Sequence, residues 1–146
     1  MICRTYLTIF SAITLTILAA GCSKGKYSSD GEAIFIAGET QDGAVVENSL
    51  EPPDFPDGID HLGCAACHGS DARGLQQPIP AMGPFFAPDI RWSTLTTQEP
   101  PYTEELFAFA IRQGVAPDGS HFHFPMPQWD VSDEQVAEII KVLRSK

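Results

Sequence analysis

The sequence predicts an all-α domain: three to five short helices held apart by long irregular loops. Three observations point there. Segments with apolar residues at helical spacing begin at Ser or Thr caps, and the earlier ones stop at glycine. The stretches between them carry much of the chain's 12 prolines and 12 glycines, which forbid continuous helix. A length of 146 residues allows one domain with one modest core. Helices so short cannot by themselves bury loops so long, so something else is expected to fill the middle.

In chain order, residues 5–20 are almost all apolar or hydroxylic, with Arg4 before them and Leu18-Ala19-Ala20-Gly21-Cys22 closing the run. A basic start, an apolar middle and a small-residue end read as a secretory signal over residues 1–21, removed before Cys22. The run is too short and too threonine-rich to remain as a comfortable membrane span. Leu-Ala-Ala-Gly-Cys resembles the lipobox of bacterial lipoproteins, with its large aliphatic residue one place further back, at Leu18. The resemblance implies that Cys22 is acylated, becomes the N-terminus and anchors the protein to a membrane. Ser23 after it resembles the sorting signal of outer-membrane lipoproteins. The alternative is a free or disulfide-bonded Cys22.

The net charge is −10, and losing Arg4 with the leader makes the remaining chain more negative still. Such a surface argues against nucleic acid and against anionic headgroups, and favours a partner with a basic face.

Residues 22–29 form a flexible tether, and residues 30–146 the folded domain. Ser29-Asp30-Gly31-Glu32 is a capping box that opens a helix through Ala33 to Ile36, with Gly38 as its stop. From Gly38 to Asp60 the chain reads as an extended surface loop, with a small hairpin around Ala44 to Val46. Residues 74–101 form another proline- and glycine-rich stretch. Thr103 caps a helix over Glu104 to Gln113, with Leu106, Phe107, Ala110 and Ile111 as its apolar face and Gly114 as its end. Ser132-Asp133-Glu134-Gln135 is a second capping box, and Val131 is placed to staple onto Val136. Val136, Ile139, Ile140 and Leu143 make the buried stripe of this last helix, with Lys141, Arg144 and Lys146 near its negative end.

With Cys3 in the leader and Cys22 at the cleavage point, Cys64 and Cys67 are the cysteines left for the domain, and His68 follows them directly. Cys-Ala-Ala-Cys-His is the attachment signature of c-type haem. Two residues between the thiols set them on successive edges of one helical turn, where they can add to the two vinyl groups of haem. The next residue then turns its imidazole onto the iron. Cys64 and Cys67 are therefore the expected thioether anchors of one haem c, and His68 its iron ligand. A zinc site normally takes four ligands, and no second cysteine pair accompanies this one, although His61, His121 and His123 could supply nitrogens. A thioredoxin-like pair would follow a buried strand, which "FPDGIDHLG" is not.

With these residues in place, positions 28–146 resemble the class I (monohaem) c-type cytochromes. In that family the first and last helices cross near a glycine–aromatic contact, matched by Gly31 and Phe35 on one side and Val136 and Ile140 on the other. The resemblance implies a methionine iron ligand in the loop before the last helix, and "HFHFPMPQWDVSDEQV" puts Met126 there between two prolines. Met82 is a rival, as are His121 and His123. It further implies a proline carbonyl that orients His68; Gly83-Pro84 fits the family's Gly-Pro element, with Pro80 and Pro88 as alternatives. Trp92 and Trp129, together with Phe85, Phe86, Phe107 and Phe124, are either haem-packing residues or ordinary core. The loop between Gly38 and His61 is longer than in compact members.

The function so implied is electron transfer rather than enzymatic catalysis. The expected protein is a monohaem cytochrome on the periplasmic side of a bacterial membrane, shuttling single electrons between redox protein partners. The alternatives are a cytochrome subunit of a larger membrane-associated dehydrogenase or oxidase, and a ligand-binding or peroxidase-like haem protein with a weak distal ligand.

Overall fold

The computed structural model describes residues 26–50, 61–75 and 86–146. The signal segment, Cys22, Ser23, Pro80, Met82, Pro84 and Phe85 lie outside the described residues. Among those described there are five helices and no strand: α1 (Asp30–Ala37), α2 (Ala65–His68), α3 (Trp92–Leu95), α4 (Glu104–Gln113) and α5 (Asp133–Arg144). Pairing outside the helices is confined to isolated antiparallel bridges, Glu39 with Val45, Asn48 with Trp129 and Val115 with His121. No helix of the described residues is long and apolar enough to cross a membrane.

The helices begin and end for the local reasons their sequences supply. Ser132 Oγ accepts the Gln135 N–H while the Gln135 side chain accepts the Ser132 N–H, which completes the capping box of α5. Thr103 caps α4 in the same manner through the Leu106 N–H. At α1 only half of the expected box forms. Ser29 Oγ accepts the Glu32 N–H at 3.1 Å, but the Glu32 carboxylate reaches one residue further back, to the backbone and hydroxyl of Ser28. Gly38 and Gly114 close α1 and α4 in the left-handed conformation.

The frame of the domain is α1 packed on α5, with α3 and α4 also against α5 and α2 against α1. Phe35, Ile34, Ile140 and Leu143 are the largest fully buried side chains, and all belong to this pair of helices. Gly31 permits the crossing. A Cβ there would lie 2.5 Å from the Glu138 carbonyl oxygen, so any other residue would force the helices apart. The Gly31 N–H meanwhile donates to Glu138 Oε2 at 2.9 Å, a bond that the close approach makes possible. Val131 and Val136 are both buried in the same core cluster, as a staple requires.

Two expectations need correcting. Leu106, placed on the apolar face of α4, is exposed; the buried face is Phe107, Ala110 and Ile111, because α5 and the Trp129 segment lie on that side alone. Residues 74–101 are not wholly irregular. Trp92 to Leu95 form a single helical turn, whose four residues are too few for periodicity to reveal.

Candidate functional site

Around the frame lies a cavity of about 550 Å³ with a largely apolar lining. Cys64, Cys67, His68 and Met126 all line it, as do Phe107, Trp129, Ile139 and Leu143. The volume is within the roughly 300–1,000 Å³ usual for small-molecule and cofactor sites.

The cysteine motif occupies one turn. Cys64 stands at the N-cap of α2, the His68 N–H donates to the Cys64 carbonyl at 2.9 Å, and Gly69 ends the turn by donating to Ala65. Cys64 and Cys67 are not disulfide-bonded. Burial pushes the Cys64 thiol up to about 12 and raises that of Cys67 as well, so both are protonated at neutral pH. A redox-active dithiol needs the opposite, an attacking thiol with a depressed pKa.

His68 is 4% exposed and its Nδ1 lies 2.8 Å from the Pro88 carbonyl oxygen. A carbonyl only accepts, so Nδ1 carries the proton and Nε2 keeps its lone pair. Burial holds the imidazole below its ordinary 6.5, partly opposed by the bond to Pro88, so the ring is neutral at physiological pH. This is the protonation state in which histidine ligates a metal.

The proline that orients His68 is therefore Pro88, which the sequence admits only as an alternative to Pro84. Its carbonyl is set by a second pair of segments. Ile90 donates to the Ala72 carbonyl at 2.8 Å, Leu75 to Ala87 at 3.2 Å, and Gly74 to His68 itself at 2.8 Å. Gly74 has φ 82°, and a Cβ there would stand 2.7 Å from the Pro88 carbonyl carbon. Only glycine allows the two backbones to come so near. Asp89 and Arg91, joined through two hydrogen-bonding oxygens and nitrogens, brace the same segment, and the guanidinium lowers the Asp89 carboxyl to about 2.

Met126 is half-buried and sits in a tight turn, its N–H donating to the His123 carbonyl at 3.0 Å, rather than in an extended stretch. Pro125 and Pro127 on either side are buried. The turn is approached through Phe122, whose N–H donates to Gly114 at 2.7 Å, and left through Trp129, whose N–H donates to Ile111 at 2.8 Å. Both ends are thus tied to the C-terminal end of α4.

Of the other residues singled out, His121 and His123 are exposed and line the cavity, and Phe86 and Phe124 line it while being 64% and 63% exposed. Trp129 is buried and lines the cavity. Trp92 is not part of the lining. Its ring stands edge-on to Phe107 at 5.9 Å, and the Arg144 guanidinium covers it at 5.1 Å. Tyr102 and Asn48 line the cavity although no motif marked them, since only the fold brings them there. No group of three or more His, Cys, Asp or Glu side chains able to hold a metal occurs among the described residues. Compared with protein-family models, with curated proteins and with solved structures, the chain matches none.

Proposed function

We propose that the protein is an exported monohaem cytochrome c that carries single electrons between protein partners. The observation that supports this most is the gathering of Cys64, Cys67, His68 and Met126, just over sixty residues apart at the extremes, on one apolar cavity. A haem bound there supplies an iron that changes oxidation state by one electron.

The residues suit that group on their own chemistry. Cys64 and Cys67 offer thiols for two thioether bonds from one helical turn. His68 offers Nε2 in a fixed tautomer because Pro88 occupies Nδ1. Met126 offers a thioether from the loop beyond α4, and ligation by both His68 and Met126 would favour electron carriage over substrate chemistry. The largely apolar lining would raise the cost of charge at the metal. Phe86 and Phe124, exposed at the cavity, are suited to apolar contact with a partner. Among the described residues no Lys or Arg lines the cavity, and the chain is acidic, so the partner offers basic groups. Attachment to a membrane through an acylated Cys22 completes the proposal; acyl labelling that survives Cys22→Ala would refute that part.

The test is the visible spectrum of the purified protein, oxidised and reduced, after expression with a haem-attachment system. Covalently retained haem and a long-wavelength sulfur-to-iron band, lost in Met126→Ala, are expected. Absence of haem absorbance overturns the reading.

A further inference from the structure

The segment that follows α1, inside the long loop between Gly38 and His61, has a position that its sequence does not announce. At its start the Val46 N–H donates to the Gly38 carbonyl at 2.8 Å, and Gly38 lies directly on the backbone of Leu62 and Gly63, next to Cys64. Val46 is buried and anchors the segment in the core. Its far end pairs with the chain just beyond Met126. The Ser49 N–H donates to the Gln128 carbonyl at 2.9 Å, and the Gln128 N–H donates back to Ser49 Oγ at 2.9 Å. The Asp130 N–H donates to Glu47 at 2.9 Å, with Asn48 and Trp129 facing each other in between. Asn48 and Leu50 also line the cavity.

We infer that residues 46–50 form a clasp on the Met126 turn, and that Ser49 is a positioning residue that holds the Met126 sulfur against competing ligands. The inference rests on the reading of Met126 as an iron ligand. A thioether is neutral and binds weakly, so its hold depends on how firmly the surrounding loop presents it. Gln128 is two residues from Met126, and Ser49 engages both its N–H and its carbonyl. Ser49 is exposed, so its side chain contributes through this bond rather than through core packing. Removing the hydroxyl leaves the fold intact and frees the Gln128 N–H.

The experiment compares full-length, haem-loaded wild type, Ser49→Ala and Ser49→Thr. Added imidazole is titrated against the oxidised proteins, following loss of the sulfur-to-iron band, and exchange of the Gln128 amide hydrogen is measured in parallel. One hydrogen bond of this kind corresponds to about a three- to tenfold change in an equilibrium. Ser49→Ala is expected to bind imidazole about three- to tenfold more tightly and to exchange the Gln128 hydrogen faster by a similar factor. Ser49→Thr, which keeps the hydroxyl, is expected to restore both. A wild-type protein with no sulfur-to-iron band overturns the Met126 reading and this inference with it. A band present in wild type, with imidazole affinity unchanged in Ser49→Ala or not restored by Ser49→Thr, overturns the clasp alone.

Discussion

His68 and Met126 face one cavity from supports of opposite kinds. His68 stands on a helical turn, is almost wholly buried, and donates its orienting bond to the carbonyl of Pro88, twenty residues on. Met126 stands on a turn of irregular chain, is half-buried, and is steadied by α4 and by Ser49, which is 79 residues from Gln128. The first support is one backbone contact, whose carbonyl is fixed by the pairing of residues 72–75 with 87–90. The second is assembled from distant pieces, each contributing a weak and replaceable bond. The His68 ring is thus set by one contact and the Met126 turn by several.

Substitutions can break or sharpen this contrast. The largest effect is expected from Gly74→Val. A branched side chain at φ 82°, driven into the Pro88 backbone, should cost about 3 kcal/mol or more in denaturant unfolding and displace the carbonyl that orients His68. A neutral outcome would mean that the 72–75 and 87–90 segments are not rigid.

His68→Ala and Met126→Ala test the contrast directly. Loss of a buried ring and of its bond to Pro88 should lower stability to denaturant by about 1–3 kcal/mol. Truncating half-buried Met126 should lower it by about 1 kcal/mol or less. Equal costs would erase the distinction.

Acid provides a milder probe of the His68 side. Asp89 titrates at about 2 in the folded chain against an ordinary 3.8, so its pair with Arg91 stabilises the fold fully above the higher value. That contribution is lost as pH falls from about 4 towards 2, and Asp89→Asn should flatten the stability profile over this window. Circular dichroism melts at successive pH values would detect a profile unaltered by the substitution.

The smallest effect belongs to Arg144→Ala, remote from both supports. Its exposed pair with Glu104 and its cover over Trp92 should together be worth under about 1 kcal/mol, with no change at either cavity wall. A shift in the sulfur-to-iron band would show that α3 and α5 report on the site after all.

Much of the frame was legible because it is written in short-range chemistry. Ser132, Thr103, Gly38 and Gly114 mark helix ends through bonds spanning three or four residues, and the α5 stripe follows from helical spacing. The cysteine motif was legible for the same reason, since Cys64, Cys67 and His68 share one turn. Pro88 was not singled out, because several prolines follow His68 at comparable distances and only the pairing of Ala72 with Ile90 selects among them. Trp92 was left between core and cavity wall, because an aromatic residue carries no mark of which side it joins, and the fold packs it against the core. The half-formed box at α1 shows the same limit at small scale: Ser28 and Ser29 offer Glu32 nearly equivalent partners.

By itself the sequence determined the longer helices, where they stop, and which donors the domain can offer, because each follows from residues close along the chain. The tertiary structure alone decided that Met126 shares a cavity with His68, that Pro88 orients the ring, and that the loop after α1 reaches across to Gln128. Those contacts join segments separated by twenty to eighty residues. Their geometry is set by the Gly31 crossing and by packing around Phe35 and Ile140, which act on the whole chain at once rather than on any stretch of it.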